Sequence, residues 1–203
     1  NRLVLEDQER QPISYRRLLL GAFVLGEKLA ALTEPGERVG LLLPNSNGCV
    51  VTFFGLHAFG RVPAMLNFSA GPAALKAAVE TGPIRVVLTS RRFVEIGKFE
   101  AYVEAIAQRA RVVYREDVRG KIGGLDKIKG LLRSRNPRAT VDQLNPSRDG
   151  LDPAVVLFTS GSEGVPKGVV LSHRAINANR LQIESIADFS PGELVFNALP
   201  VFH

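Results

Sequence analysis

The chain has 203 residues, 45% of them hydrophobic and 23% charged, with a formal net charge of +6. That length and balance suit one large globular unit or two small ones and exclude a disordered chain. The most apolar stretch, Cys49 to Gly60, is interrupted by His57 and falls short of the roughly 20 residues a transmembrane helix needs; no secretory pattern opens the chain at Asn1, so a soluble, cytoplasmic protein is expected.

Helical periods alternate with short apolar strands, which argues an α/β fold with a mostly parallel sheet flanked by helices. Ser14 is placed to cap a first helix running to about Leu32, with Leu18, Leu19, Ala22, Leu25 and Leu29 at helical spacing before Pro35-Gly36 ends it. Arg38 to Leu43 predicts a buried strand, Ser46 to Phe59 a second helix and Val62 to Leu66 a second strand. Cys49, the only cysteine, excludes an internal disulfide or a multi-cysteine zinc site and reads as a buried, inert thiol in a reducing compartment. Gly71-Pro72 opens a third helix through Glu80; a strand (Val86 to Thr89), a helix (Arg92 to Arg109) and a strand (Arg111 to Tyr114) complete a doubly wound part, residues 1–114.

Residues 115–150 break that rhythm, with Gly120, Gly123, Gly124, Pro137, Pro146 and Gly150 as punctuation. They are expected to form a basic surface excursion holding one short helix, whose apolar face is Leu125, Ile128, Leu131 and Leu132. Residues 109–138 carry ten Lys or Arg against Glu116, Asp117 and Asp126, which reads first as a solvated face.

The chemistry lies in residues 151–203. A buried strand, Ala154 to Phe158, runs directly into Thr159-Ser160-Gly161-Ser162-Glu163-Gly164-Val165-Pro166-Lys167-Gly168. Glycines let backbone amides converge on an anion, hydroxyls add donors and lysine adds charge, so the segment reads as a phosphate cradle rather than a plain turn. A Walker A loop ends in Gly-Lys-Ser/Thr and enters a helix, whereas here Lys167 follows Pro166 and a strand, Gly168 to His173, comes next. No G-x-G-x-x-G follows a strand, and no His-Arg-Asp segment of a protein kinase is present.

Thr159 to Gly168 resembles the signature loop of the adenylate-forming superfamily of acyl-CoA synthetases, nonribosomal-peptide adenylation domains and luciferases, which is Ser/Thr- and Gly-rich and ends in Pro-Lys-Gly. The resemblance extends to Ile13-Ser14-Tyr15, Gly36-Glu37-Arg38-Val39, Leu43-Pro44-Asn45-Ser46 and Leu199-Pro200-Val201-Phe202-His203. Within that superfamily, Ser162-Glu163 and the run from Gly60 to Phe68 resemble the bacterial bifunctional acyl-acyl-carrier-protein synthetases/acylglycerophosphoethanolamine acyltransferases.

The resemblance implies a truncated amino-terminal AMP-binding domain, with an exposed sheet edge, of an enzyme that activates a fatty acid with ATP and passes the acyl group to a phosphopantetheine thiol, on acyl carrier protein or on coenzyme A. It implies that Thr159, Ser160 and Ser162 bind β- and γ-phosphate oxygens, that Gly161 and Gly164 shape the loop and that Lys167 adds charge. Glu163 would point outward or face a magnesium ion, and His203 would position the carboxylate or gate the thiol path as a catalytic residue. The main Mg2+ ligand, a ribose-binding aspartate and a catalytic lysine would lie beyond His203, so the piece is expected to be inactive alone. It further implies contact with a membrane surface or an acidic carrier protein through residues 109–138, Arg133 and Arg135 among them, and the cytoplasmic face of the inner membrane for the longer protein. No nucleic-acid module accompanies the charge. A noncatalytic nucleotide- or carrier-binding module remains the alternative. His57 reads as a core or surface residue and His173, at a strand end, as structural.

Overall fold

The computed structural model describes residues 2–146, 148–159, 166–187, 190 and 193–202. Two short antiparallel strands, β1 (Leu3–Leu5) and β2 (Ile13–Ser14), lead into helix α1 (Tyr15–Ala30). Ser14 caps it, its hydroxyl oxygen accepting from the Arg17 amide. β3 (Arg38–Leu41) is followed by α2 (Asn47–Ala58), capped by Ser46 through the Cys49 amide. β4 (Val62–Met65) leads through a 3-10 turn (Phe68–Ala70) to α3 (Pro72–Thr81), with proline in its first turn where no amide donor is needed.

β5 (Val86–Thr89) and β6 (Arg111–Tyr114) stand where the sequence predicts them. The helix expected over 92–109 is instead two, α4 (Arg91–Gly97) and α5 (Glu100–Ala107). Lys98 adopts the left-handed conformation, φ 53°, and ends the first of them.

Six strands form one sheet, completed by β7 (Pro153–Thr159) and β8 (Lys167–Ser172), in the order β6-β5-β3-β4-β7-β8. All neighbours are parallel except β7 and β8, so the protein has the mixed α/β architecture its pattern predicted. One face of the sheet packs Val39, Leu41 and Val155 against Leu25, Leu29 and Leu56 of α1 and α2. The other packs Val87, Val156 and Phe158 against Leu75 and Val79 of α3 and Ile106 of α5. Near-continuous burial of β3, β4 and β5 is what a parallel sheet covered on both faces requires. β8 lies at the sheet edge with Val169 and Val170 exposed, and α9 (His173–Glu184) follows it.

Residues 115–150 correct the expected excursion with a single helix, because three helices form there: α6 (Arg115–Gly120), α7 (Gly124–Arg133) and α8 (Pro137–Leu144). α8 sets Val141 and Leu144 on Phe23, Ala58 and Phe59, giving α1 and α2 a second, outer layer. α7 lies on α1 by its polar side. Asp126 pairs with Lys28 at 2.8 Å and Arg133 with Glu27 at 3.1 Å, while Gly130 sits so close to Val24 and Leu20 that a Cβ would collide. The predicted apolar face is therefore not a buried one: Leu125, Ile128 and Leu132 are 77%, 56% and 56% exposed.

Candidate functional site

Chain order places β4 on one side of β3 and β5 on the other, so the winding reverses at β3. In an open parallel sheet such a reversal splays the loops at the carboxyl ends of the strands and leaves a crevice where ligands bind. Three segments meet at this edge. The loop after β3 brings Leu43-Pro44-Asn45, the loop after β4 brings Phe68, and between them runs Leu199–Phe202.

Asn45 holds that last segment by both halves of its amide. Its Nδ2 donates to the Leu199 carbonyl at 2.7 Å and its Oδ1 accepts from the Val201 amide at 2.9 Å. Phe202 is 4% exposed and meets Phe68 edge-to-face, ring centroids 4.8 Å apart. Phe68 also touches Phe93 and Phe99, so an aromatic cluster anchors the segment. Thr89, fully buried, donates from its hydroxyl to the Leu42 carbonyl and fixes the adjoining ends of β5 and β3.

β7 runs parallel to β4, with Ala64 beside Val156 and Met65 beside Leu157, so Thr159 emerges at the same edge. In the antiparallel ladder Thr159 faces Lys167 directly. Opposed residues project from one face of a ladder with their Cβ atoms about 5 Å apart, so both side chains leave the same face, exposed, at the base of the connection 160–166. A donor set of this kind fits phosphate oxygens. Of the candidate residues, Thr159 and Lys167 are thus brought together, while Ser160, Gly161, Ser162, Glu163, Gly164 and His203 lie outside the described residues. Among the described residues, no group of three or more His, Cys, Asp or Glu is arranged to hold a metal ion.

In the sequence Asn45 and Phe68 stand only within motif runs, with nothing that marks a role for either. The signal for Asn45 was the Leu-Pro-Asn-Ser run directly after a buried strand; nothing local marks Phe68, because its partners are distant in sequence.

A groove of about 550 Å³ lies elsewhere, lined by Leu18, Leu19 and Phe23 of α1, His57, Val141 and His173. It opens beside His173, whose amide binds Asp152 just before β7 begins, and so sits at the opposite end of that strand from Thr159. His57 contacts Phe53 at 4.6 Å and His173 at 5.1 Å. Burial, reinforced by the nearby His173, pushes its pKa down to about 4. Cys49 is buried and its thiol pKa is pushed up to about 11 by that burial, partly offset by Arg115, which makes it a poor nucleophile.

A profile described as AMP-binding enzyme matches residues 1–203. Among curated proteins, a long-chain-fatty-acid–AMP ligase of Mycobacterium marinum is 26% identical over 88% of this chain and 26% of its own length. A sulfoacetate–CoA ligase of Cupriavidus necator is 25% identical over 98% of this chain and 37% of its own. The chain thus spans between a quarter and two fifths of these relatives. Among solved structures, the inhibitor-bound amino-terminal domain of FACL13 from Mycobacterium tuberculosis superposes with a TM-score of 0.74 at 22% identity, covering 98% of this chain and 47% of that one. ATP-bound MatB from Rhodopseudomonas palustris does so with a TM-score of 0.70 at 22% identity, over 99% and 38%. At that identity the superpositions speak for the fold, the amino-terminal domain of adenylate-forming enzymes. The profile leaves no part of the sequence outside it, and the chain therefore belongs to the AMP-binding enzyme family.

Proposed function

We propose that these residues are the amino-terminal part of an ATP-dependent acid–thiol ligase that activates a fatty acid as its acyl-adenylate. The observation that carries this reading is the Thr159–Lys167 pair at the base of a Ser/Gly-rich connection, at the edge where β4 and β7 end side by side. A carboxylate oxygen attacks the α-phosphorus of ATP, the bond from that phosphorus to the bridging oxygen breaks, and pyrophosphate leaves with the electron pair. Negative charge grows on the leaving group, and donors already fixed around it stabilise that growth without reorganising. In this reading Thr159, Ser160 and Ser162 donate to β- and γ-phosphate oxygens, Gly161 and Gly164 admit the backbone close to them, and Lys167 supplies positive charge. A carboxylate at Glu163 would repel the polyphosphate unless it were turned away or a magnesium ion screened it. In this reading His203, which follows Phe202 in sequence, positions the acyl carboxylate or gates the thiol path.

The acyl group then passes to a phosphopantetheine thiol. Acyl carrier protein as acceptor, with coupled lysophospholipid acylation, is the reading favoured by Ser162-Glu163 and the run Gly60 to Phe68. A second reading takes coenzyme A instead, and its support is the matched long-chain-fatty-acid–CoA ligase of Mycobacterium tuberculosis, 26% identical over 83% of this chain. Since the chain spans so little of its relatives, the 203 residues alone are proposed to grip nucleotide without turning over.

ATP–pyrophosphate exchange tests the reading in a protein carrying the remaining length of these relatives. Exchange with a fatty acid is expected, falling at least tenfold, or about 1.4 kcal/mol of transition-state stabilisation, in Lys167→Ala. Nucleotide binding without exchange for any acid overturns the ligase in favour of a binding module. Acyl transfer to coenzyme A but not to carrier protein decides for the second reading.

A further inference from the structure

Helix α7 is turned inside out. At about 100° per residue, Asp126, Gly130 and Arg133 share one side, and that side faces α1 through Lys28, Val24 and Glu27. Diametrically opposite lies an unbroken apolar arc, Leu131, Ile128, Leu132 and Leu125, of which three members are more than half exposed. Lys127 borders one edge of the arc and Lys129 the other, both exposed, and exposed Arg135 and Arg138 follow at its carboxyl end. The carboxylates facing this helix are closed by cations: Glu27 by Arg133 and Lys129, Asp126 by Lys28. Lys127, Arg135 and Arg138 pair with nothing among the described residues, so the outward side is both apolar and positive.

We propose that the outer face of α7 is an interfacial surface that docks the protein on an anionic lipid bilayer, with Leu125, Ile128 and Leu132 entering the headgroup boundary and Lys127, Arg135 and Arg138 against lipid phosphates. A strip of exposed aliphatic side chains between two lysine edges is the form of an interfacial helix, and each basic side chain near such a surface raises partitioning by about fivefold. An acidic protein would satisfy the cations but leave three large aliphatic groups without a matching environment. Of the two arginines the resemblance singles out for such a contact, Arg135 is exposed, while Arg133 is spent on Glu27 and on the Phe59 ring 5.5 Å from its guanidinium carbon. The surface uses neither the nucleotide loop nor the crevice, so its test stands apart from the ligase reading.

The protein contains no tryptophan, so a single one reports its own surroundings. Ile128→Trp is mixed with vesicles of phosphatidylcholine alone or containing about 30% phosphatidylglycerol, in roughly 0.1 M salt, and Ile96→Trp on α4 serves as the control. Expected are a blue shift and sedimentation of Ile128→Trp with the anionic vesicles only, and no shift for the control. In the tryptophan-free protein, Leu125→Ser with Ile128→Ser and Leu132→Ser, and separately Lys127→Glu with Arg135→Glu, each cut vesicle binding at least tenfold while circular dichroism stays unchanged. These side chains are exposed, so loss of fold is not expected to intervene. Absence of a blue shift, binding indifferent to the serine substitutions, or capture by poly-glutamate without vesicle binding overturns the proposal. So does self-association of the protein abolished by the same serines, or vesicle binding by the 203 residues that the longer protein lacks.

Discussion

His57 lies on α2 with its ring against Phe53 and His173, and its pKa is about 4 where an exposed imidazole has about 6.5. Between those values the unfolded chain binds a proton that the folded one refuses, so stability falls as pH drops from about 6.5 to 4 and levels below it. The loss from this group reaches about 3 kcal/mol at most. Chemical denaturation of His57→Phe at pH 7 and pH 4.5 is expected to show a smaller difference between the two than the unaltered protein; an equal difference removes His57 as the cause. Arg61 shows the opposite solution to burying a cation. Its guanidinium donates to the carbonyls of Ala30, Thr33 and Phe59 and to the Thr33 hydroxyl, satisfying a charge that is 9% exposed. That arrangement ties the end of α1 to the start of β4.

Between elements, α1 and α2 meet through glycines. A Cβ on Gly26 would lie 2.5 Å from the Gly55 carbonyl oxygen and 2.7 Å from the Phe59 ring. Gly26→Ala improves intrinsic helix propensity, yet it must push the helices apart, and overpacking at such a site costs about 1–3 kcal/mol. A lowered denaturant midpoint with unchanged slope is expected, and a raised midpoint would mean that propensity outweighs the contact. The break between α4 and α5 belongs to the same scale. Gly97 closes α4, and Lys98 in the left-handed conformation turns the chain before α5 begins. For α7 a helix wheel shows the apolar arc and does not say which side the rest of the molecule will accept.

For the whole molecule, the decisive fact is that Asn45 reaches Leu199 and Val201 across more than 150 residues of chain. It fastens the segment bearing Phe202 to the end of a central strand. Asn45→Ala removes both bonds, each worth about 1 kcal/mol, so hydrogen exchange at the Val201 amide is expected to quicken about tenfold or more while that of the Leu41 amide holds. Equal rates at Val201 would show that the Phe202–Phe68 contact alone secures the segment. The sequence by itself determined the α/β alternation, the cap at Ser14, the strands β5 and β6 and the glycine-rich connection after β7, since local periodicity and capping chemistry are written in neighbouring residues. Only the tertiary structure decided the strand order that puts the β3, β4 and β7 ends at one edge, the Thr159–Lys167 pairing, the Asn45 tether and the outward apolar face of α7. Each depends on which distant surfaces bury one another, a choice made by close packing over the whole sheet and not by any single stretch of chain.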